Sequence, residues 1–143
     1  MRKLLRSMVL WTFGGTLYFL MEVAWKLIFG HPEEISWTML VLAILLCIPL
    51  DLANERLSWC MPLWQQAVLG GLGITAAELA AGVVLNLWLG MDVWDYSDLP
   101  FHLWGQISLV WSLVWILAAG AGIVLFDWLR HWLYEEDRPH YCF

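Results

Sequence analysis

The chain has 143 residues, of which 62% are hydrophobic and 14% charged, with a formal net charge of −6. So much apolar surface on so short a chain excludes a water-soluble domain and points to lipid as the solvent, and the lack of a basic stripe excludes nucleic acid as a partner. The three cysteines, Cys47, Cys60 and Cys142, follow neither CxxC nor Cys/His ligand spacing, so they read as free thiols with no metal site among them.

In chain order, the opening MRKLLRSMVLW resembles the basic region of a signal peptide. The apolar run behind it is long, contains Glu22 and Lys26 and lacks an A-x-A site, so it is expected to remain as the first span. A helix needs roughly 20 apolar residues to cross ~30 Å of hydrocarbon, and four segments approach that length, about 8–29, 36–53, 63–89 and 103–128. Breakers separate them: Gly30-His31-Pro32, then Asn54 through Pro62, then Gly90 through Pro100. The tail YEEDRPHYCF is short and polar, and is expected to be mobile. The fold class is therefore all-α: a polytopic four-helix transmembrane bundle, residues 1–143 forming one transmembrane domain.

Charge sets the expected orientation. Arg2, Lys3 and Arg6 precede the first span, Arg56 lies between the second and third, and Arg130 and Arg138 follow the fourth. Six of the seven Lys and Arg residues thus fall on one side, which the positive-inside rule makes cytoplasmic. Both termini are expected inside, in a multi-pass protein of a bacterial inner membrane. Glu33, Glu34, Asp92, Asp95 and Asp98 fall in the two opposite connections. Trp25, Trp37, Trp88, Trp94 and Trp104 mark the outer border, and Trp11, Trp59, Trp64, Trp128 and Trp132 the inner one, as aromatic belts do.

Ionisable groups within spans are costly and suggest function. Glu22 and Lys26 lie one helical turn apart, in the favoured Glu-then-Lys order, with Glu22 ~11 Å below Gly30 at 1.5 Å per residue. Glu78 and Asn86 share a face of the third span with Thr75 and Gly82, and Glu78 lies ~17 Å below its outer end. Gln106 and Ser108 lead into the fourth span from outside. These depths converge beneath the segment Trp94-Asp95-Tyr96-Ser97, whose aromatic side chains favour headgroup depth. Two readings stay open for this group: interhelical hydrogen bonds and an ion pair that hold the bundle together, or a substrate pocket in which two carboxylates face a single Lys. Asp95 or Ser97 is expected to cap the turn leading into the fourth span, and Pro100 to suit the start of that helix. At the inner face Asp51, Asn54, Glu55, Arg56, Asp127 and Arg130 read as salt bridges at helix ends. Small residues at Gly14-Gly15, Gly70-Gly71, Ala77/Ala81 and Ala118/Gly122 suit close helix packing, within the chain or in a homo-oligomer.

The sequence has no HExxH, GxSxG, Walker A or paired-His motif, so no catalytic residue, metal or cofactor is assigned. The stretches GGTLYFLMEVAWKLIFGH (14–31), AAELAAGVVLNLWLGMDVWDYSDLPFHLWGQISL (76–109) and WSLVWILAAGAG resemble those of the CmpB-type ABC-transporter permease family. In that family a Glu in span one, an E-x7-N pair, a W-D/E-Y-S element and a G-Q/L-I run recur. Here these are Glu22, Glu78 with Asn86, Trp94 to Ser97, and Gly105-Gln106-Ile107. The resemblance implies a transport component, and with it an ATPase or other membrane subunit as partner beside the lipid bilayer. The expected substrate site comprises Glu22, Lys26, Glu78, Asn86, Trp94, Asp95, Tyr96, Ser97 and Gln106, and would take a small polar solute or a cation. The competing reading is an accessory or scaffold protein whose polar cluster is structural, and a third is a lipid-modifying enzyme with a pocket carboxylate as base.

Overall fold

The computed structural model describes residues 2–52 and 61–143, so Asn54, Glu55, Arg56, Trp59 and Cys60 lie outside the described residues. Four helices dominate: α1 (Arg2–Phe29), α2 (Trp37–Asp51), α3 (Leu63–Gly82), which runs on into a π-helical segment (Val83–Trp88), and α4 (Leu109–Tyr134). A 3-10 turn (Pro32–Glu34) joins α1 to α2, and two short antiparallel strands, β1 (His102–Leu103) and β2 (Ile107–Ser108), lie between α3 and α4. Three stretches, Lys3–Phe29, Leu63–Trp88 and Leu109–Tyr134, are long and apolar enough to cross a membrane. The protein is a multi-pass membrane protein.

Local chemistry sets the helix ends. Gly30 and Gly90 have φ of +82° and +62°, the left-handed geometry that closes a helix at little cost for glycine. Ser36 and Ser108 take extended backbone and accept hydrogen bonds from the amides of Thr38 and Trp111, both at 3.3 Å, so each caps the helix it precedes. α2 is the short member. Its 15 residues measure only about 22 Å at 1.5 Å per residue, against ~30 Å of hydrocarbon. Its final residue, Asp51, is accordingly buried in protein.

The helices pair as two tight hairpins, α1 with α2 and α3 with α4. Each pairing is closest at a glycine: a Cβ on Gly15 would stand 2.7 Å from the Ile44 Cα, and one on Gly71 2.6 Å from the Ile116 Cα. Bare backbone is what lets helices approach in lipid, where no hydrophobic force drives them together. Contacts between the hairpins are sparser, and the core is correspondingly divided. Leu10, Cys47 and Phe126 pack at one end, Ile74, Trp115 and Ala119 in the middle, and Met39, Val93 and Trp94 at the other end. Large apolar side chains such as Leu117, Ile28 and Trp88 stand exposed, as lipid-facing residues do.

Buried charged side chains join the hairpins at opposite ends: an Asp51–Arg130 ion pair at one and a hydrogen bond from Lys26 to the Val93 carbonyl at the other. At the end holding both chain termini, Asp51 takes a bidentate grip from Arg130, with Nε to Oδ1 at 2.7 Å and a terminal guanidinium nitrogen to Oδ2 at 2.6 Å. Trp11 Nε1 also donates to Asp51 at 2.7 Å, and Arg130 donates to Ser7 Oγ at 2.7 Å. The tail expected to be mobile is instead tied back. Tyr141 donates its hydroxyl to Asp127 at 3.0 Å, and the Leu63 amide donates to the Cys142 carbonyl at 2.9 Å.

The expected fourth span began at residue 103, whereas α4 begins at Leu109 and runs on to Tyr134. The left-handed backbone of Phe101, Trp104 and Gly105 turns residues 102–108 into a small hairpin and so breaks the helix that their apolar character suggests. Pro100 therefore lies in a turn ahead of the hairpin and not at a helix start; Ser108 caps the helix, while Asp95 caps the earlier turn by accepting the Ser97 amide. Trp94 is also not a belt residue. It is 5% exposed, while Trp25, Trp37, Trp88 and Trp104 stand out from the surface.

Candidate functional site

Glu78 sits near the C-terminal end of α3 and is 4% exposed. Its Oε1 accepts from the Tyr96 hydroxyl at 2.8 Å and its Oε2 from Trp115 Nε1 at 2.8 Å. Both donors are uncharged. A carboxylate has about four acceptor positions, so two remain free of donors among the described residues. Glu78 also lines a cavity of about 260 Å³ that lies between the two hairpins. Tyr18, Leu42, Leu46, Trp115 and Ala118 are among the other lining residues, and among the described residues Glu78 is the only acidic one there.

The second carboxylate, Glu22, pairs through Oε1 with Lys26 at 3.0 Å. Lys26 also donates to the Glu34 carbonyl at 2.7 Å and the Val93 carbonyl at 3.1 Å. An ammonium has three donors, so Lys26 is fully occupied, and it ties α1 to both connections at this end. Glu22 Oε2 is buried with no hydrogen-bond partner among the described residues. Two carboxylates with one ammonium leave one negative charge, or one bound proton, inside the group.

Asn86 and Gln106 bind each other and the loop. Asn86 donates to Gln106 Oε1 at 2.7 Å and to the Trp94 carbonyl at 3.0 Å, and it accepts from the Val93 amide at 2.8 Å. Gln106 donates to the Trp104 carbonyl at 3.1 Å, and its own carbonyl accepts from Trp94 Nε1 at 3.0 Å. The π-segment contributes to this arrangement. In an unbroken α-helix Asn86 would be rotated roughly 80° from Glu78, at 3.6 residues per turn. The wider i to i+5 turn, seen in the Leu89 amide bonding to the Val84 carbonyl at 3.0 Å, changes that angle. Gly82 provides the remaining room, since a Cβ there would stand 2.9 Å from the Gln106 Cβ.

Residues 94–97 alternate as an extended chain does. Val93 and Trp94 are buried and Tyr96 is half-buried, reaching down to Glu78, while Asp95 and Ser97 are exposed. Asp95 Oδ1 accepts from the Ser97 amide at 2.8 Å and from the Ser97 hydroxyl. These bonds hold the Asp95 carboxyl below the usual carboxylate range. The same turn is fastened by the Tyr96 amide donating to the Gly105 carbonyl at 2.8 Å.

The nine residues singled out from sequence thus divide into four sets. Glu78 and Tyr96 meet near the cavity; Glu22 and Lys26 form the ion pair; Asn86, Gln106 and Trp94 form a closed network that holds the loop; Asp95 and Ser97 form a surface turn. Sequence reasoning missed Trp115 and Tyr18, whose rings pack 5.7 Å apart beside Glu78. The available signal was a Trp and a Tyr far from either end of a span, where a buried N–H or O–H must find a partner. Elsewhere, His31, Glu33 and Glu34 bring ligand atoms within 4.8 Å of one another on a turn with two exposed members, a grouping common without any metal.

Residues 9–136 match the model of the family described as "Putative ABC-transporter type IV" (CmpB). The chain belongs to this family. The matched region takes in most of α1, the other three helices and every residue of the group around Glu78. No curated protein and no solved structure matched the chain.

Proposed function

We propose that this CmpB-family protein is the membrane-embedded component of a transporter, a single transmembrane domain in which Glu78 carries the charge that selects the substrate. The observation that supports this reading most is a buried carboxylate, held only by uncharged donors, on the wall of a cavity between two hairpins. A carboxylate at such depth is expensive unless protonated or compensated, and the buried ammonium at this end of the bundle, Lys26, is already held by Glu22. Glu22 would set the local charge, and Tyr96 would carry movements of the loop over residues 92–106 to Glu78. Asn86, Gln106 and Trp94 would keep that loop seated, with Asp95 and Ser97 shaping its outer surface.

The proposed orientation puts both termini in the cytoplasm of a bacterial cell, following the distribution of Lys and Arg. Cysteines placed at Glu33 and Asp98 should then react with an impermeant maleimide from outside intact cells, and reaction only after lysis would reverse the orientation. The family description suggests an ATPase partner. The sequence has no Walker A motif of its own, and the connection between Asp51 and Leu63 is short, so a partner would also have to grip the helix ends around Arg130.

A scaffold reading draws on the closed Asn86–Gln106–Trp94 network, in which the amide hydrogen bonds serve the fold. Flux separates the two. Everted vesicles from expressing cells, given ATP, would be screened with labelled alkali cations and quaternary ammonium ions against vesicles carrying Glu78→Gln. Transport predicts accumulation of at least one ion that the variant loses while its melting temperature is retained. Identical traces for every ion would favour the scaffold.

A further inference from the structure

The cavity combines features that narrow the chemistry of any occupant. Its wall is largely apolar, contributed by all four helices. Glu78 supplies the acidic group, with acceptor capacity left after its two hydrogen bonds. Tyr18 and Trp115 present aromatic rings beside it, tilted 52° to one another.

An anion would meet a carboxylate and, among the buried cations of the described residues, no available counter-charge, since Lys26 donates to three acceptors and Arg130 is bound to Asp51. A hard metal cation takes about six oxygen ligands, and a wall of Leu, Met and Ala cannot replace its water. A weakly hydrated organic cation suffers neither penalty. Its charge can rest against the carboxylate and the aromatic faces, which attract cations through the ring quadrupole, and its body can fill the apolar remainder. Size agrees with this. A dry cavity of ~150 Å³ accepts benzene, so about 260 Å³ has room for one ring and a small ammonium group.

We infer that the cavity between the hairpins binds a monovalent organic cation with an apolar body, its charge against Glu78 and its body among Leu42, Leu46 and Ala118. The inference rests on the reading of Glu78 as the substrate-selecting residue and names the substrate class for it. Binding is separable from transport, and the experiment keeps the two apart.

The protein in lipid nanodiscs would be titrated calorimetrically with benzyltrimethylammonium, whose charge is permanent, and with its neutral isostere neopentylbenzene. Saturable binding of the cation is expected, with the isostere at least about tenfold weaker and Glu78→Gln weakening the cation by a similar factor, as loss of a close charge partner does. Ala118→Leu, which adds volume to the wall, should weaken the cation while leaving the melting temperature near that of the parent. This keeps the test decisive if Glu78→Gln melts early. Equal binding of the two probes would make the cavity a plain apolar site and overturn the inference, and so would no binding of either. Cation binding without flux in the vesicle assay would retain the ligand and remove the transport reading. Flux of another ion without cation binding would do the reverse.

Discussion

Lys26 holds three acceptors on three different pieces of backbone or side chain: Glu22 on its own helix, Glu34 before α2, and Val93 in the loop after α3. Removing it takes the cationic partner from the Glu22 carboxylate, whose Oε2 has no hydrogen-bond partner among the described residues. Breaking a buried pair from one side costs about 3–5 kcal/mol, whereas removing both charges costs far less. Lys26→Met should therefore destabilise the protein more than the double change Glu22→Gln/Lys26→Met, with a coupling of roughly 0.5–3 kcal/mol. Thermal melting of the parent, both single variants and the double variant in one detergent would measure it, and additive losses would mean that the two charges do not share a burial site. Asp95 belongs to the same scale but to the surface. Its depressed pKa arises from Ser97, so its turn contributes fully above the ordinary aspartate value of about 3.9. That contribution fades only as the pH falls through the lower folded value. Asp95→Ala should cost roughly 0.5–1.5 kcal/mol at neutral pH, while Asp95→Asn, which still offers an oxygen to Ser97, should cost less. Melting curves at neutral pH and in acid would show the Ala difference shrinking only at the acid end.

Two glycines of α3, two residues apart, give opposite expectations. A Cβ on Gly71 would press on the Ile116 backbone, while one on Gly73 would meet nothing within 4 Å. Gly71→Ala should force α3 from α4 and lower the melting temperature, whereas Gly73→Ala should be neutral or raise stability by up to about 1 kcal/mol through helix propensity. A melting temperature lowered equally by both would show that the α3–α4 contact does not depend on close backbone approach. The same element shows what the sequence disclosed and what it withheld. Hydropathy and breakers placed α2, the start of α3 and the end of α1 closely, because burial in lipid demands long apolar helices bounded by turns. They misplaced the start of α4, because Phe101 through Ser108 is apolar enough to read as helix and only the left-handed backbone of Phe101, Trp104 and Gly105 turns it into a hairpin. The π-segment at Val83–Trp88 leaves no mark in hydropathy, since its residues are as apolar as their neighbours.

For the molecule as a whole, the sequence indicated that polar residues gather at one depth, and the structure resolves that gathering into parts with different partners. The Glu22–Lys26 pair was legible from spacing within one helix. The bonds from Glu78 to Tyr96 and Trp115 were not, because they cross between segments 18 and 37 residues apart, and helical periodicity carries no such information. The Asp51–Arg130 contact closes over 79 residues and fastens the two hairpins at the end opposite Lys26. Arg130→Met should leave Asp51 buried with Trp11 as its remaining hydrogen-bond donor among the described residues. A loss of about 3–5 kcal/mol is expected, read as a lower melting temperature that Asp51→Asn in the same chain partly restores. Failure of Asp51→Asn to restore any stability would place the damage in packing around Arg130. The division into two glycine-tightened hairpins also bears on biogenesis. Each hairpin holds a close backbone contact of its own, so a gene cut in the connection between Asp51 and Leu63 should yield two polypeptides that insert separately and find each other in the bilayer. Their recovery as a complex on a tag carried by one half would then report the Asp51–Arg130 grip directly, turning an internal salt bridge into a measurable affinity between fragments.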